Sequence, residues 1–235
     1  MSESMKRKLI LSGVLLFVFV VFSFSVVHAD LKMVNVLDAK TMKESSEMTE
    51  VGMSTLNIGV AEKIGYRKGW YILSEAIGIV GYFTAAFFAV LGVLQVITRK
   101  GIGKADKDLY LLAVFYVLVA LTYLIFEVVV LNCRPVLLKD ELEASYPSSH
   151  TLLGICIFST AAMQFQSRLP KKNLRVTAVT VCMVLMGLQI ISRLLSGVHW
   201  LTDIIGGILI SAFLISLYLL GYDIIERLTP KNAKK

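Results

Sequence analysis

Apolar residues along this chain come in runs too long for an ordinary soluble core, and the short stretches between them hold nearly all of its charge. Six runs, at 9–27, 77–97, 109–131, 148–165, 174–191 and 201–222, reach or approach the length a helix needs to cross the hydrocarbon layer. That layer is about 30 Å thick and a helix rises about 1.5 Å per residue. Lipid offers no water to satisfy backbone N–H and C=O groups, so such runs are expected to be helical, and they lack the short alternation of barrel strands. The pattern predicts an all-α, six-helix integral membrane bundle.

The flanks refine this picture. "MKRK" before the first run and "VVHAD" after it have the form of a signal peptide, but the apolar length suits a retained helix. Residues 30–70 mix charged and apolar positions, as in "VGMSTLNIGVAEKIGYRKGW", and are too polar to span. They read as an outer loop with one interfacial amphipathic helix, with Trp70 and Tyr71 marking the headgroup level. No internal repeat is visible. The expected organisation is 1–29, a first transmembrane helix or signal anchor; 30–70, the outer loop; and 71–235, the transmembrane core.

Composition agrees with a bilayer setting: 56% of residues are hydrophobic and the mean hydropathy is +0.73. A net charge of +7 raises nucleic acid as a partner, but the basic residues lie between apolar runs and form no continuous stripe. Membrane topology explains them instead. With the amino terminus cytoplasmic, Lys6, Arg7, Lys8, Arg99, Lys100, Lys104, Lys107, Arg168, Lys171, Lys172, Arg175, Arg227, Lys231, Lys234 and Lys235 all fall on the inner side. The short outer connections keep only Arg134, Lys139 and Arg193. Cys133, Cys156 and Cys182 show no metal-ligand spacing and are expected to be free, apolar side chains. "GIGK" after Arg99 lacks the context of a phosphate loop and reads as a cytoplasmic turn.

Candidate chemistry gathers in the two short outer connections. One carries Arg134 beside Pro135, then Ser148, Ser149 and His150; the other carries Arg193, His199 and Asp203. Ionisable groups at membrane depth are costly, so they pair or serve a function. His199 and Asp203 are four apart, a spacing at which a carboxylate holds one ring nitrogen and leaves the other free to attack. Two guanidinium forks suit phosphate oxygens, and hydroxyl and N–H groups at a helix start near Ser148 add neutral donors. Together they describe an anion pocket with a histidine nucleophile and a second histidine as proton donor, and they imply no metal or other cofactor. His28 matches no such pattern and is read as an interfacial residue. Glu75, near the start of the second span, faces either the pocket or the headgroups, the headgroups being favoured, and Gly206 and Gly207 are assigned to close helix packing.

These residues resemble the phosphatidic acid phosphatase type 2 family, membrane relatives of the vanadium haloperoxidases. The family pattern has three parts: K-x6-R-P, P-S-G-H and S-R-x5-H-x3-D. The third stands complete in "SRLLSGVHWLTD", Ser192 to Asp203, and the second appears as "PSSH", with Ser149 in place of glycine. Of the first, Arg134 and Pro135 match, but the lysine position is Glu127. The resemblance implies a fold of the haloperoxidase-like kind, with catalytic His199, His150 and Asp203 and phosphate-binding Arg134, Arg193, Ser148 and Ser149. Its expected activity is metal-independent removal of phosphate from a lipid phosphate or diphosphate at the outer leaflet of the cell membrane, through a phosphohistidine. Among such substrates undecaprenyl diphosphate suits an outward site. Alternatives are phosphatidic acid or phosphatidylglycerol phosphate as substrate, a lipid phosphotransferase, or a non-catalytic lipid-phosphate binder.

Glu127 removes a cation from a pocket built for anions and adds a negative charge. Seven residues separate it from Arg134, about 20° from the same face of a continuous helix, so an ion pair between them is expected. It is placed at the pocket edge, bracing an arginine or facing a substrate hydroxyl, with Lys139 supplying the missing charge. Kinetics of a Glu127→Lys variant check this: kcat/KM is expected to change, and unchanged constants would leave Glu127 without a role.

Overall fold

The long apolar runs do become helices, and five of them, α1 (Glu3–His28), α3 (Lys68–Thr98), α4 (Lys107–Val128), α6 (Lys172–Leu195) and α7 (Leu201–Leu228), are long and apolar enough to cross a bilayer. The computed structural model describes residues 3–228; Lys231, Lys234 and Lys235, expected on the cytoplasmic side, lie outside the described residues. The remaining predicted span, 148–165, takes the form of α5 (Ser149–Arg168) and stands apart from the other five. Eleven of its 20 residues are buried, among them Thr151, Thr160 and Gln164. It packs against α3, α4, α6 and α7, so its polar side chains face protein and it forgoes the greasy exterior of its neighbours. The bundle is therefore five clearly apolar helices arranged around a more polar one, rather than six equivalent spans.

The expectation of an all-α chain needs correction in the outer segment. Residues 30–70 hold the predicted helix, α2 (Ser54–Ile64), but also two strands, β1 (Lys32–Asp38) and β2 (Glu44–Val51). These pair antiparallel, and a two-residue strand, β3 (Val136–Leu137), adds to β1 in parallel, giving the order β2-β1-β3. Val36, Thr49 and Val51 turn inward while Met33, Asn35, Met48 and Glu50 face out, the period-2 alternation of a half-buried strand. Asp38 closes the hairpin, its carboxylate accepting the N–H groups of Lys40 at 2.7 Å and Thr41 at 3.3 Å.

Polar contacts fix which helix ends lie together. At one end Lys8 pairs with Asp223 at 2.7 Å, and Arg168 reaches both Asp106 at 2.8 Å and Asp108 at 2.6 Å. Arg99 joins Asp106 at 2.7 Å, next to a single 3-10 turn at Ile102–Lys104, which is the "GIGK" stretch. The starts of α1 and α4 thus meet the ends of α3, α5 and α7. Since the helices run back and forth, the connections bearing Arg134, His150 and His199 gather at the opposite end. Helix α1 is packed into this scaffold along α7, with Ser216 donating to Ser12 at 2.8 Å in a buried contact. Its Ser23 meets the Tyr146 hydroxyl at 2.7 Å. The three cysteines are free thiols, and His28 stacks on Phe24 with ring centroids 4.4 Å apart.

Gly206 and Gly207 lie where α7 meets the chain entering α5. A Cβ on Gly206 would sit 2.4 Å from the Tyr146 ring, and one on Gly207 would sit 3.0 Å from Thr151. Tyr146 is buried and pinned between Phe19, Phe126 and Ser23, so its ring has nowhere to retreat. Gly206→Ala is expected to destabilise the protein by about 1–3 kcal/mol, the usual penalty for overpacking a tight contact. Thermal unfolding in detergent measures it, and an unchanged midpoint would contradict the packing described.

Candidate active site

Helix α6 ends at Leu195 and α7 begins at Leu201, and the turn between them sets the spacing of Arg193 and His199. Gly197 makes this turn with φ of 71°, a left-handed conformation that glycine adopts without steric cost. A Cβ there would also lie 2.1 Å from the Gly65 carbonyl oxygen. The Arg67 N–H donates to the Ser196 carbonyl at 3.0 Å, and the Asn57 side chain bonds Thr202 by both N–H and hydroxyl, at 3.1 and 2.9 Å. Residues 57–67 are thus tied to the turn that carries His199.

Asp203, in the first turn of α7, is fully buried. Its Oδ2 accepts the Trp200 N–H at 2.8 Å and the Ser145 hydroxyl, and its Oδ1 accepts the Asn132 amide at 3.1 Å. His199 Nδ1 lies 3.4 Å from Oδ2 and 3.0 Å from Ser145 Oγ. Because Ser145 gives its proton to the carboxylate, its oxygen accepts the Nδ1–H of His199. That leaves Nε2 with a bare lone pair, and Nε2 is buried without a hydrogen-bond partner. Burial, followed by the charges of Arg193 and Arg134, holds the His199 imidazole well below its ordinary range. The ring is neutral at neutral pH, as a nitrogen nucleophile must be.

A second cluster stands on the facing helices. Arg193, buried in the last turn of α6, donates from Nη1 to Glu75 at 2.8 Å and to Ser74 at 3.1 Å, and lies 5.6 Å from the centre of the Tyr71 ring. The other oxygen of Glu75 is 3.3 Å from His150 Nε2. Gly78, one turn on from Glu75, leaves room for the imidazole: a Cβ there would meet His150 Cδ2 at 3.1 Å. Glu75 therefore faces His150 and Arg193 and not the headgroups, which corrects its sequence assignment.

Arg134 does not pair with Glu127. Its Nε is 3.5 Å from Glu143 and 3.4 Å from the Ala144 carbonyl, and Glu143 also takes Lys139 at 2.5 Å. Lys139 points outward, 71% exposed, which makes it a poor substitute for the absent family lysine. Glu127 does stand at the pocket edge: with Tyr123, Phe126, Ser145, Tyr146, Ser149 and His199 it lines a narrow cleft. Ser149 thus opens on the same cleft as His199. Ser148 is fully buried; its N–H donates to the Asp203 carbonyl at 3.0 Å and its hydroxyl accepts from Thr151 at 3.0 Å. The N–H expected for phosphate is committed elsewhere, leaving the Ser148 hydroxyl proton as its available donor.

Sequence reasoning missed Ser145 and Asn132, which have no fixed spacing to the residues they hold. Glu75 carried a signal, since an ionisable residue within an apolar run marks a functional position by default.

A buried imidazole with one nitrogen unpartnered, the two arginines whose charges act on it and a second imidazole on α5 gather at one end of a multi-pass helical membrane protein. The sequence profile of the PAP2 superfamily matches residues 109–225, and the chain belongs to that superfamily. The crystal structure of a transmembrane PAP2-type phosphatidylglycerolphosphate phosphatase from Bacillus subtilis is similar in fold, with a TM-score of 0.62 and 21% identity over 94% of this chain and 98% of that one. Among curated proteins none matches.

The Ser145 hydroxyl links His199 to Asp203, so its loss would free the ring to turn. Ser145→Ala is expected to lower kcat about 10–100-fold, the worth of a hydrogen bond to a charged group, with KM little altered. Steady-state kinetics decide it; a KM effect alone would place Ser145 in substrate binding.

Proposed function

We propose that this protein is a membrane lipid phosphatase that removes phosphate from a lipid phosphate or diphosphate at the outer leaflet, through a phosphohistidine formed on His199. The observation that carries the reading is the His199 side chain itself, anchored at Nδ1 by Ser145 beside Asp203, bare at Nε2 and under the influence of two arginines. Membership of the PAP2 superfamily supports the same class of reaction.

In the first half, His199 Nε2 attacks phosphorus in line; the N–P bond forms as the P–O bond to the leaving group breaks, and His150 gives that oxygen a proton. Asp203 offsets the positive charge that develops on the attacking ring. Arg193 and Arg134 balance charge on the equatorial oxygens, with Ser148 and Ser149 at the start of α5 as neutral donors. In the second half water attacks phosphorus, gives its proton back to His150, and the N–P bond breaks. Every proton and charge in this sequence is handled by side chains, so the route is proposed to need no metal.

The outward orientation rests on the distribution of lysine and arginine, which crowd the end of the bundle opposite His199. For such a site we favour an isoprenoid diphosphate such as undecaprenyl diphosphate; phosphatidic acid and phosphatidylglycerol phosphate, the latter named for the Bacillus subtilis neighbour, are the alternatives. A second reading, transfer of the phosphoryl group to a lipid or sugar hydroxyl, draws on Glu127, a carboxylate in the wall of the His199 cleft where an acceptor hydroxyl would approach.

Phosphate release by purified protein in detergent with chelator present, compared across these three substrates, tests the proposal. Wild type is expected to release phosphate from at least one, and His199→Ala to lose at least about a thousandfold in kcat while still binding lipid. Loss of wild-type activity on chelation would refute the metal-free route. Capture of phosphate by an added alcohol would favour transfer over hydrolysis.

A further inference from the structure

Glu75 has no place in the family pattern, and it precedes the segment, 109–225, that the superfamily profile covers. Yet it joins a residue of each half of the site, His150 and Arg193. Its carboxylate lies 3.3 Å from His150 Nε2 through one oxygen and 2.8 Å from Arg193 Nη1 through the other. Ser74 adds a second contact to the same Arg193 nitrogen, and Gly78 clears the space in which the His150 ring lies against α3. Three residues within little more than one turn of α3, Ser74, Glu75 and Gly78, thus contact or make room for His150 and Arg193.

The two histidines are anchored in opposite senses. His199 is held at Nδ1 and unpartnered at Nε2; His150 is held at Nε2 and unpartnered at Nδ1. Both unpartnered nitrogens are buried. A ring bonded to a carboxylate through one nitrogen has that proton fixed, so chemistry at the ring passes through the other atom. The charged groups acting on His150 are Glu75 from α3, Arg193 from α6 and Arg134 from the connection before α5, with Tyr82 of α3 and neutral His199 as the titratable neighbours. Glu75 is the anion among them.

We propose that Glu75 is the positioning residue of the proton-donating histidine: by holding His150 at Nε2 it makes Nδ1 the atom that delivers the proton, and by holding Arg193 at Nη1 it leaves the arginine Nε to the phosphoryl oxygens. The inference rests on the phosphatase reading for its chemistry. His150 enters the step as the imidazolium, protonated at both nitrogens; as the His199 Nε2–P bond forms and the P–O bond breaks, the leaving oxygen takes its Nδ1 proton, and the neutral ring stays bound to Glu75 through Nε2–H. When water then attacks phosphorus and the N–P bond breaks, Nδ1 takes the proton from water and the starting state returns. Arg193 Nε is buried and unpaired, which accords with its part.

The test uses full-length protein in detergent, with Glu75→Gln and Glu75→Asp beside His150→Ala. Two substrates are compared: a short-chain phosphatidic acid, whose alkoxide must be protonated, and an aryl phosphate whose leaving group departs unprotonated. Glu75→Gln is expected to lower kcat on the lipid about a hundredfold and on the aryl phosphate less than about tenfold, with Glu75→Asp in between. The alkaline limb of the lipid kcat/KM profile should move to lower pH by about one unit, as expected when an imidazole loses an anionic neighbour. Equal losses on both substrates with an unmoved limb would overturn the proposal while leaving the phosphatase reading intact. The chain has three histidines, so ring nitrogen signals of His150 can be assigned by substitution and followed by NMR without any turnover. His150 signals identical in wild type and Glu75→Gln, in proton position and titration, would overturn it even if no substrate were hydrolysed.

Discussion

The Asp203 carboxylate is the point on which this architecture turns. A negative charge removed from water is expensive unless donors surround it, and here three donors come from two separate parts of the chain: Asn132 and Ser145 from the connection before α5, and the Trp200 N–H at the start of α7. Satisfying one buried group therefore closes the loop between α4 and α5 onto the turn between α6 and α7. The same contacts orient His199. Trp200 strengthens the closure by donating its indole N–H to the Cys133 carbonyl at 2.9 Å. Folding and the placement of His199 are here one requirement and not two.

The two ends of the bundle divide the polar work. At the basic end, Arg168, Arg99, Asp106 and Asp108 satisfy one another in ion pairs near the surface. At the other end polar nitrogens are left unsatisfied: Arg193 Nε, His150 Nδ1 and His199 Nε2 are buried with no partner. Unpaired polar atoms in an interior cost stability, and native proteins tolerate them where a function requires it. That asymmetry, more than the identity of the residues, separates the structural charges of this chain from its chemical ones.

Much of this was legible in the sequence, and what was not has a physical reason. The helices could be read because lipid imposes one backbone solution on long apolar runs. Arg193, His199 and Asp203 could be read because they lie on one continuous helix-turn-helix stretch, where spacing alone fixes proximity. The hairpin of β1 and β2 escaped because its alternation is diluted by lysine, glutamate and serine on the exposed face. Helix α5 looked like the other spans because hydropathy counts residues without knowing which side meets protein. Ser145, Asn132 and Glu75 escaped because their partners lie far away in sequence, and the expected pairing of Glu127 with Arg134 failed because α4 ends at Val128, so the two no longer share a helix. Glu143 took the arginine instead.

The contact between Gly197 and Gly65 bears on how such a protein can be rebuilt. Two backbones meet there with no room for a side chain on Gly197, and Arg67 and Asn57 reinforce the meeting by hydrogen bonds to Ser196 and Thr202. The segment 30–67 is in this sense a fitted part, and a chimera that exchanged it for the equivalent piece of a relative would have to carry the 196–202 turn with it.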